Sequence, residues 1–292
     1  MKNNNILNQW PSRLEKIKNF FICPFCQEDL IEKKEGLYCK RCEKDYPLKN
    51  GKIYFTSPLI IDDALDIIKN RLKKNLGKYY YLIGVTFLAP SFPFNYTREI
   101  RQHINPECFL VIDIGCGNHR VDDHIITLDA IDYEAVDIVA DVCSLPFKDN
   151  SIDAVCTRYL LEHLPDVNKA INGIIRCTKK RGLGIHLTPF IYPYHASPHD
   201  YTRWTSMGVS NLFNDWTLVK QINTTGPFSL FILLFIEFIS IILSFGNERI
   251  KGILFLLLPP FLSPLKFFDI FFIGNKQFLR LAVHILTVIR KT

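Results

Sequence analysis

The sequence lacks several features that would assign it to a class at once. Residues 1–8 are rich in asparagine and show no positively charged start followed by an apolar stretch and a small-residue cleavage site, so a secretory signal is not indicated. Dense stripes of lysine and arginine are also absent, since 22% of the 292 residues are charged and the formal net charge is +6. We therefore expect a cytoplasmic protein, and its charge selects no partner.

The nine cysteines do not suggest a disulfide framework. Four of them form two C-x-x-C pairs, and the other five (Cys108, Cys116, Cys143, Cys156 and Cys177) lie in apolar runs, which fits a reducing compartment. Two such pairs are typical of a zinc ribbon, in which four thiolates close a tetrahedral site and leave no open position for catalysis. We predict structural zinc on Cys23, Cys26, Cys39 and Cys42, with a disulfide as the alternative. The ion would hold a head too small to bury its own core.

Composition divides the chain into five regions. They are a zinc-ribbon head (1–57), a helical connector (58–107), an alternating α/β core (108–223), an apolar helical hairpin (224–274) and a last segment (275–292). In the connector, helical spacing from Ile60 to Leu76 predicts a packing helix, and the aromatic and proline-rich stretch 79–94 predicts an irregular lid or linker. In the core, five short apolar runs between residues 109 and 188 predict buried parallel strands, and residues 165–179 predict a crossover helix.

A glycine-containing turn follows the first predicted strand of the core. In Asp113-Ile114-Gly115-Cys116-Gly117 the two glycines let a ligand approach the backbone, although any doubly wound fold can contain such a turn. Asp129 and Asp141 close the next two strands, where carboxylates can receive ribose hydroxyls and an adenine amino group. The chain lacks G-x-G-x-x-G, and barely one helical turn fits between Gly117 and Asp129, so a dinucleotide fold is disfavoured.

Several motifs in register extend this pattern over residues 110–223. Besides the glycine turn they are Leu128-Asp129, residues 136–141, residues 145–155, residues 160–163 and residues 174–176. With these motifs the region resembles the class I methyltransferases of the type 11 group. The resemblance implies an α/β, Rossmann-like seven-stranded sheet with an antiparallel last strand, and S-adenosylmethionine held by Asp113, Gly115, Cys116, Gly117, Asp129 and Asp141. The chain departs from the group in its nearly absent first helix and in Arg181-Gly182-Leu183, which replaces Pro-Gly-Gly.

The segment 189–205 after the fifth predicted strand is polar and aromatic without core periodicity. Loops at the carboxyl ends of strands carry function in this architecture. His199 beside Asp200 predicts a general base whose tautomer the carboxylate fixes, and Arg203 predicts a clamp for a carboxylate or phosphate. A local salt-bridged turn of these three residues is the alternative. The H-D-Y-x-R-W-T pattern resembles a subset of bacterial-type methyltransferases associated with surface-glycan or lipid-linked sugar pathways.

Two other residues, Glu162 and His163, follow the fourth predicted strand and face the site in the family. A purely structural pair at the start of a helix is the alternative for them.

Two apolar stretches follow the core. Residues 228–245 approach the length that spans a bilayer, and residues 253–273 are long enough but interrupted by Pro259, Pro260, Pro264, Lys266 and Asp269. If residues 284–290 form the last strand, both ends return to the sheet and only zero or two crossings are possible. The basic residues in 248–251, the predicted far-side loop, oppose two crossings, so we favour a shallow hairpin in the cytosolic leaflet.

Three alternatives to that arrangement stay open. They are a true membrane hairpin, a water-soluble hairpin buried against the fold or a second subunit, and a basic amphipathic helix over residues 278–289 in place of the strand.

Methyl transfer to a glycan, lipid-linked or other small acceptor, near the cytosolic membrane face, is the favoured function. The leading rival is methylation of rRNA or tRNA, because the head resembles the zinc-ribbon partners of tRNA and protein methyltransferases and would dock RNA. A non-catalytic zinc-ribbon scaffold that retains the cofactor fold is the hypothesis from another class. The oligomeric state stays open at this point.

Overall fold

The computed structural model describes residues 10–60, 75–77, 79–195 and 199–292. Its helices are α1 (Ser12–Glu15), α2 (Tyr80–Leu88, a π-helix), α3 (Tyr96–His103), α4 (Val167–Cys177), α5 (Ser206–Leu212), α6 (Pro227–Ser244), α7 (Glu248–Leu257) and α8 (Pro259–Leu262). Segments of 3-10 helix cover Lys18–Phe20, Val142–Ser144, Leu161–His163, Ser263–Phe271 and Lys276–Leu281. Most of the predicted connector helix lies outside the described residues.

One mixed sheet organises the molecule. Its strands are β1 (Ile31–Lys33), β2 (Gly36–Cys39), β3 (Lys44–Lys49), β4 (Lys52–Tyr54), β5 (Val111–Ile114), β6 (Ile126–Asp129), β7 (Ile138–Val139), β8 (Ile152–Arg158), β9 (Thr178–Pro189), β10 (Trp216–Asn223) and β11 (His284–Lys291). Their order across the sheet is β1-β2-β3-β4-β7-β6-β5-β8-β9-β11-β10. The seven strands from β7 to β10 form the predicted sheet, in which β5 to β9 run parallel.

The last strand, β11, is confirmed as antiparallel. It lies between β9 and β10 and pairs with both, with Leu286 opposite Leu187 on one side and Ile222 on the other. Residues 284–289 are buried, so an apolar run covered on both faces takes the strand conformation. The alternative of an amphipathic helix over residues 278–289 is therefore wrong.

The zinc-ribbon head adds four strands to the predicted seven. Strand β4 pairs in parallel with β7, with Ile53 opposite Ile138, so the head continues the methyltransferase-like sheet beyond its edge. The two parts also share one hydrophobic core, because the Phe21 ring lies 5.2 Å from Phe55 and 5.5 Å from Phe147. The head is therefore joined to the sheet both by strand pairing and by the packing of its side chains.

Two helix predictions need correction. A π-helix, α2, occupies part of the stretch 79–94 in which irregular chain was predicted. The crossover helix α4 ends at Cys177, and Lys179 already belongs to β9, because Thr178 takes an extended conformation (φ −76°, ψ 133°). Strand β9 consequently begins six residues earlier than the apolar run 184–188 indicated.

The chain between β10 and β11, residues 224–283, forms a helical unit that we call the apolar insertion. Its α6 segment and the segment Glu248–Phe271 are long and apolar enough to cross a membrane, with mean hydropathies of 2.3 and 1.7. The predicted far-side loop 248–251 is instead the first turn of α7, because Asn247 caps that helix by accepting from Arg249 N at 3.0 Å. The reversal lies just before it, where Phe245 and Gly246 have φ of 49° and 83°.

Charged residues that interrupt the apolar run make polar contacts within the insertion and with the connector. Buried Asp269 accepts from Phe228 N and Ser229 N, both at 2.9 Å, and so caps the start of α6. Lys266 is also buried and donates to the carbonyl of Ala89 in the connector. Within the insertion, Lys251 pairs with Glu237 at 2.9 Å.

Candidate active site

The predicted cofactor turn lies at the carboxyl end of β5, and Asp113 is its most buried member. The carboxylate is fully buried, and neither oxygen has a hydrogen-bond partner among the described residues. Burial raises the pKa of Asp113 to about 7, although the cation of Arg158 opposes that shift. An unpaired buried carboxylate is costly, so this side chain is ready for a cationic ligand group.

The two glycines of the turn have different roles. Both have left-handed backbone, with φ of +71° at Gly115 and +57° at Gly117, which favours glycine. A Cβ on Gly115 would lie 2.7 Å from Leu160 Cδ1, so this position is closed by packing. At Gly117 no described atom lies within 4 Å of that point, which leaves open space for a ligand. Between them, Cys116 is buried and its thiol donates to Gly117 O at 3.3 Å.

Asp129 ends β6 as predicted, whereas Asp141 lies two residues beyond the end of β7 and caps the 3-10 turn Val142–Ser144. The two oxygens of Asp129 accept from Gly117 N at 2.8 Å and Ile131 N at 2.9 Å, and burial raises its pKa. Each oxygen keeps a second lone pair for a ligand hydroxyl. Asp141 is exposed and accepts from Cys143 N at 2.9 Å. Residues 115–125, all described, form no helix, which confirms the predicted loss of the first helix.

His119 and Val121, which follow this turn in the chain, line a cleft of about 620 Å³ that we call the acceptor cleft. Its floor comes from the carboxyl ends of the parallel strands, including Arg158 and Leu187, and from Thr224, Thr225 and His284 at the two ends of the apolar insertion. The connector covers it through Phe92 and Tyr96 and their neighbours. The cleft is therefore bounded jointly by the sheet, the connector and the apolar insertion.

The loop after β9, which we call the acceptor loop (residues 189–205), is organised by Arg203. Its five N–H donors are all used: they bond both oxygens of Asp200 and the carbonyls of Tyr192, Pro193 and Thr202. The Asp200 carboxylate is 2% exposed and also accepts from His195 N at 2.8 Å. Asp200 and Arg203 thus form the local salt-bridged turn that the sequence offered as an alternative.

The imidazole beside Asp200 belongs to His195. Its Nδ1 lies 3.6 Å from Asp200 Oδ2, and burial, with His163 nearby, lowers its pKa to about 4. The predicted base, His199, has an exposed side chain whose ring lies 5.7 Å from the ring of Tyr201. His195 was missed because adjacency in sequence favoured the His199-Asp200 pair, whereas the structure places the earlier histidine beside the carboxylate.

Glu162 and His163 meet this loop from the end of β8. Glu162 is fully buried, its oxygens lack partners within the described parts of the chain, and burial raises its pKa to about 7. His163 Nδ1 donates to the carbonyl of His199 at 2.5 Å, and its Nε2 lies 3.8 Å from Glu162 Oε1. The rings of His163 and His195 are 5.1 Å apart. The strand end and the acceptor loop therefore form one polar cluster.

The four predicted zinc ligands also converge. Their sulfur atoms lie within 4.8 Å of one another, with Cys26 and Cys39 at 3.5 Å and Cys23 and Cys42 at 3.8 Å. The two knuckles share their backbone form, because Gln27 and Glu43, the residues after each pair, have φ of 60° and 53°. Four convergent thiols are a donor set that suits tetrahedral zinc.

Comparison with known proteins assigns the cofactor side of this site. A family model described as a methyltransferase domain matches residues 112–185, which include the cofactor turn and β8. An uncharacterized protein, MJ0638, of Methanocaldococcus jannaschii is 35% identical over 95 residues, covering 28% of this chain and 42% of that protein.

Two solved structures give further matches. A methyltransferase from Thermotoga maritima, described as a possible histamine N-methyltransferase, has 13% identity, covers 78% of this chain and 99% of its own, and gives a TM-score of 0.45. The complex of the Haloferax volcanii Trm112 methyltransferase activator with a putative methyltransferase has 15% identity, 79% and 99% coverage, and a TM-score of 0.43. Residues 112–185 therefore match a methyltransferase domain, and they lie in a sheet whose strand order agrees with the one expected from the resemblance to class I methyltransferases.

Proposed function

We propose that the protein methylates an amphipathic acceptor, a lipid or a lipid-linked glycan, at the cytosolic face of a membrane. The observation that carries this proposal is where the apolar insertion leaves the sheet. Thr224 and His284, at its two ends, both line the acceptor cleft. In open α/β sheets ligands bind outside the carboxyl ends of the strands, so the insertion stands on the ligand-binding edge.

The exposed surface of the insertion supports a membrane partner. Phe238 is 60% exposed, Phe261 is 81% exposed and Phe245, at the tip, is 92% exposed. Soluble monomers rarely expose a large contiguous apolar surface, and such a surface marks an interaction site. The insertion would lie in the leaflet and place the acceptor cleft beside the lipid headgroups.

The cofactor would be held by residues that fit it. The unpaired Asp113 carboxylate would receive the ammonium group of its methionyl part, Gly115, Cys116 and Gly117 would supply the backbone cradle, Asp129 would receive the ribose and Asp141 the adenine end. Bound S-adenosylmethionine supplies an electrophilic methyl group. The work of the chain is then to orient the acceptor atom, exclude water and accept a proton where the acceptor has one.

On the acceptor side we assign positioning roles to Asp200 and Arg203. Because Arg203 uses all of its donors within the loop, it holds Asp200 in place and is not free to clamp an acceptor. Asp200 in turn accepts from His195 N and would hold that residue in the place beside the carboxylate where His199 was first predicted. Replacing His195 by alanine should leave cofactor binding intact and abolish most turnover. Equal turnover by the wild type and by His195→Ala would contradict this assignment. His199→Ala is the matched control.

The direct test follows the methyl group. Lipid, glycan and RNA fractions are prepared from cells that lack the protein. Each fraction is incubated in its own reaction with the purified full chain and isotope-labelled S-adenosylmethionine, and is then analysed by mass spectrometry. We expect a gain of one methyl in a lipid-containing fraction, and no gain with Gly115→Arg, in which the new side chain collides with Leu160 and fills the cofactor turn. Label only in RNA, or only in a soluble small molecule, would overturn the proposal.

Fractionation provides a second, independent test. We expect the expressed chain in the membrane pool, released in part by salt or mild detergent. A wholly soluble monomer would contradict the membrane location. RNA binding that weakens steeply with salt would instead support the rival in which the head docks RNA.

A further inference from the structure

A second group of metal-ligating side chains lies on the acceptor side, apart from the four cysteines. Glu162, His163 and His195 each offer one ligand atom, and the three atoms lie within 4.8 Å of one another. Glu162 and His163 come from the 3-10 turn after β8, whereas His195 comes from the acceptor loop after β9. Folding thus brings potential ligands from two strand ends to one point.

Glu162 is the member that most needs a partner. It is fully buried, and in the described part of the chain neither of its carboxylate oxygens has a hydrogen-bond partner. Buried carboxylates are stable when a proton, a cationic side chain or a metal ion neutralises them. Its neighbours include two imidazoles, which bind metal ions as neutral groups, and the Arg203 cation, whose donors are already engaged by Asp200 and by backbone carbonyls.

His163 is held in the tautomer that a metal ligand requires. Its Nδ1 lies 2.5 Å from the carbonyl oxygen of His199, and since a carbonyl only accepts, Nδ1 carries the hydrogen. The other nitrogen, Nε2, keeps its lone pair and lies 3.8 Å from Glu162 Oε1. A backbone carbonyl on the outer nitrogen is a common way to orient a metal-binding histidine.

His195 is held through its backbone, because Asp200 Oδ2 accepts from His195 N at 2.8 Å. The Asp200 carboxylate is itself 2% exposed and fixed by Arg203. The ring nitrogen Nδ1 of His195 is buried without a hydrogen-bond partner among the described residues, so the imidazole is not committed to another group. The salt-bridged turn of the acceptor loop therefore acts as the outer layer of the cluster.

We propose that Glu162, His163 and His195 bind one divalent transition-metal ion, with zinc as the first choice. Two imidazole nitrogens and one carboxylate oxygen suit zinc or ferrous iron, whereas Mg²⁺ prefers oxygen ligands alone. Three protein ligands leave a coordination position open, so the ion would take water or an oxygen of the acceptor and favour its deprotonation. Only the identity of that acceptor rests on the proposed function; metal binding does not.

The test counts metal ions on the full-length protein. Zinc per chain is measured by plasma mass spectrometry after dialysis against a weak chelator, and the stripped protein is then titrated with Co²⁺. We expect two equivalents, one with the absorption of a tetrathiolate site and one with the weaker absorption of a histidine–carboxylate site. Glu162→Gln should keep the first and lose the second.

Three further variants make the result specific. His195→Ala, at a partly exposed position, should also lose the second equivalent, and Asp200→Asn should weaken it by roughly 10- to 100-fold, as outer partners do. His199→Ala keeps the carbonyl that orients His163 and should bind both ions. Binding of S-adenosylmethionine by each variant reports that it is folded.

One equivalent of metal in the wild type, or two in a folded Glu162→Gln or His195→Ala protein, would overturn the inference. Because no acceptor is present, failure to methylate lipid leaves this result unaffected.

Discussion

The zinc-ribbon head and the apolar insertion are both additions to the same seven-stranded sheet, yet they are attached in opposite ways. The head pairs β4 with β7 and merges its aromatic side chains with the central core. The insertion is attached through polar groups such as Lys266 and through a small apolar cluster around Leu230 and Leu233, and it leaves many of its apolar side chains exposed. The comparison teaches that the head shares the core of the sheet, whereas the insertion keeps many apolar side chains on its surface.

The largest expected effect is on the head. Cys39→Ser removes one of the four predicted zinc ligands, and because structural zinc contributes much of the folding free energy of small domains, we expect a loss of at least about 4 kcal/mol. Since the head and the sheet share a core, calorimetry should record one transition, moved down as a whole. Cys108→Ser, at an exposed cysteine, is the control and should change stability by less than about 0.5 kcal/mol. A separate early transition, with the main one unmoved, would break the comparison.

Substitutions on the exposed surface of the insertion should weaken membrane binding and leave the stability of the protein unchanged. Replacing Phe238, Phe245 and Phe261 by serine removes three exposed rings, each worth about 1.5 kcal/mol or more when buried in a bilayer, so vesicle binding should fall by at least about 100-fold. The melting temperature should stay within about 2 °C of the wild type, because these rings pack little within the protein. Phe109→Ser, which alters a 52% exposed ring before β5 at the opposite edge of the sheet, should leave flotation with vesicles unchanged.

Asp113 lies in the cofactor turn, so a substitution there tests the central sheet to which the head and the apolar insertion are both attached. Its pKa in the folded protein is about 7 against an ordinary 3.8, so ionisation favours the unfolded chain increasingly as the pH rises from about 4 through 7. In the absence of cofactor, Asp113→Asn should be more stable than the wild type at pH 8 by about 2 kcal/mol and equal to it near pH 4. It should nevertheless bind S-adenosylmethionine at least about tenfold more weakly. Thermal melts at both pH values check this, with the exposed Asp123→Asn as control.

The smallest effect is expected at the base of the insertion. Asp269→Asn removes the negative charge and one of two acceptors from the start of α6, which should cost about 1 kcal/mol locally. Hydrogen exchange of Phe228 and its neighbours should accelerate, while the head exchanges at its former rate. Glu248→Gln, at the exposed start of α7, is the matched control. Acceleration that spread into β4 would show that the two additions are coupled after all.

Local patterns were sufficient to predict the sheet. Fully buried strands such as β5 and β8 appear in the sequence as short apolar runs, and the run that became β11 was recognisable from its likeness to a final strand. The cysteine spacing predicted the convergence of four thiols, because two C-x-x-C knuckles already contain the backbone turns that the site needs. These features depend on residues that are near one another in the chain.

Features that depend on distant pairing were not predictable. The pairing of β4 with β7 joins residues 53 and 138, and no periodicity in either segment announces its partner. In the acceptor loop, sequence adjacency favoured His199 with Asp200, whereas the fold brings His195 to that carboxylate. In the sequence, Lys266 and Asp269 only interrupt an apolar run. Their hydrogen bonds are made to carbonyl and amide groups in other elements, which the sequence does not reveal.

The head and the sheet, which pair through β4 and β7, lie in one chain, and this has a consequence for the stoichiometry in which the two are made. A zinc ribbon that is a separate subunit must find its catalytic partner at cellular concentration, and the scarcer chain limits the complex. Here the ribbon and the sheet are joined covalently, so their effective concentration stays in the range of intramolecular contacts at any expression level. The predicted zinc ion would then be the component that such a chain must acquire from outside.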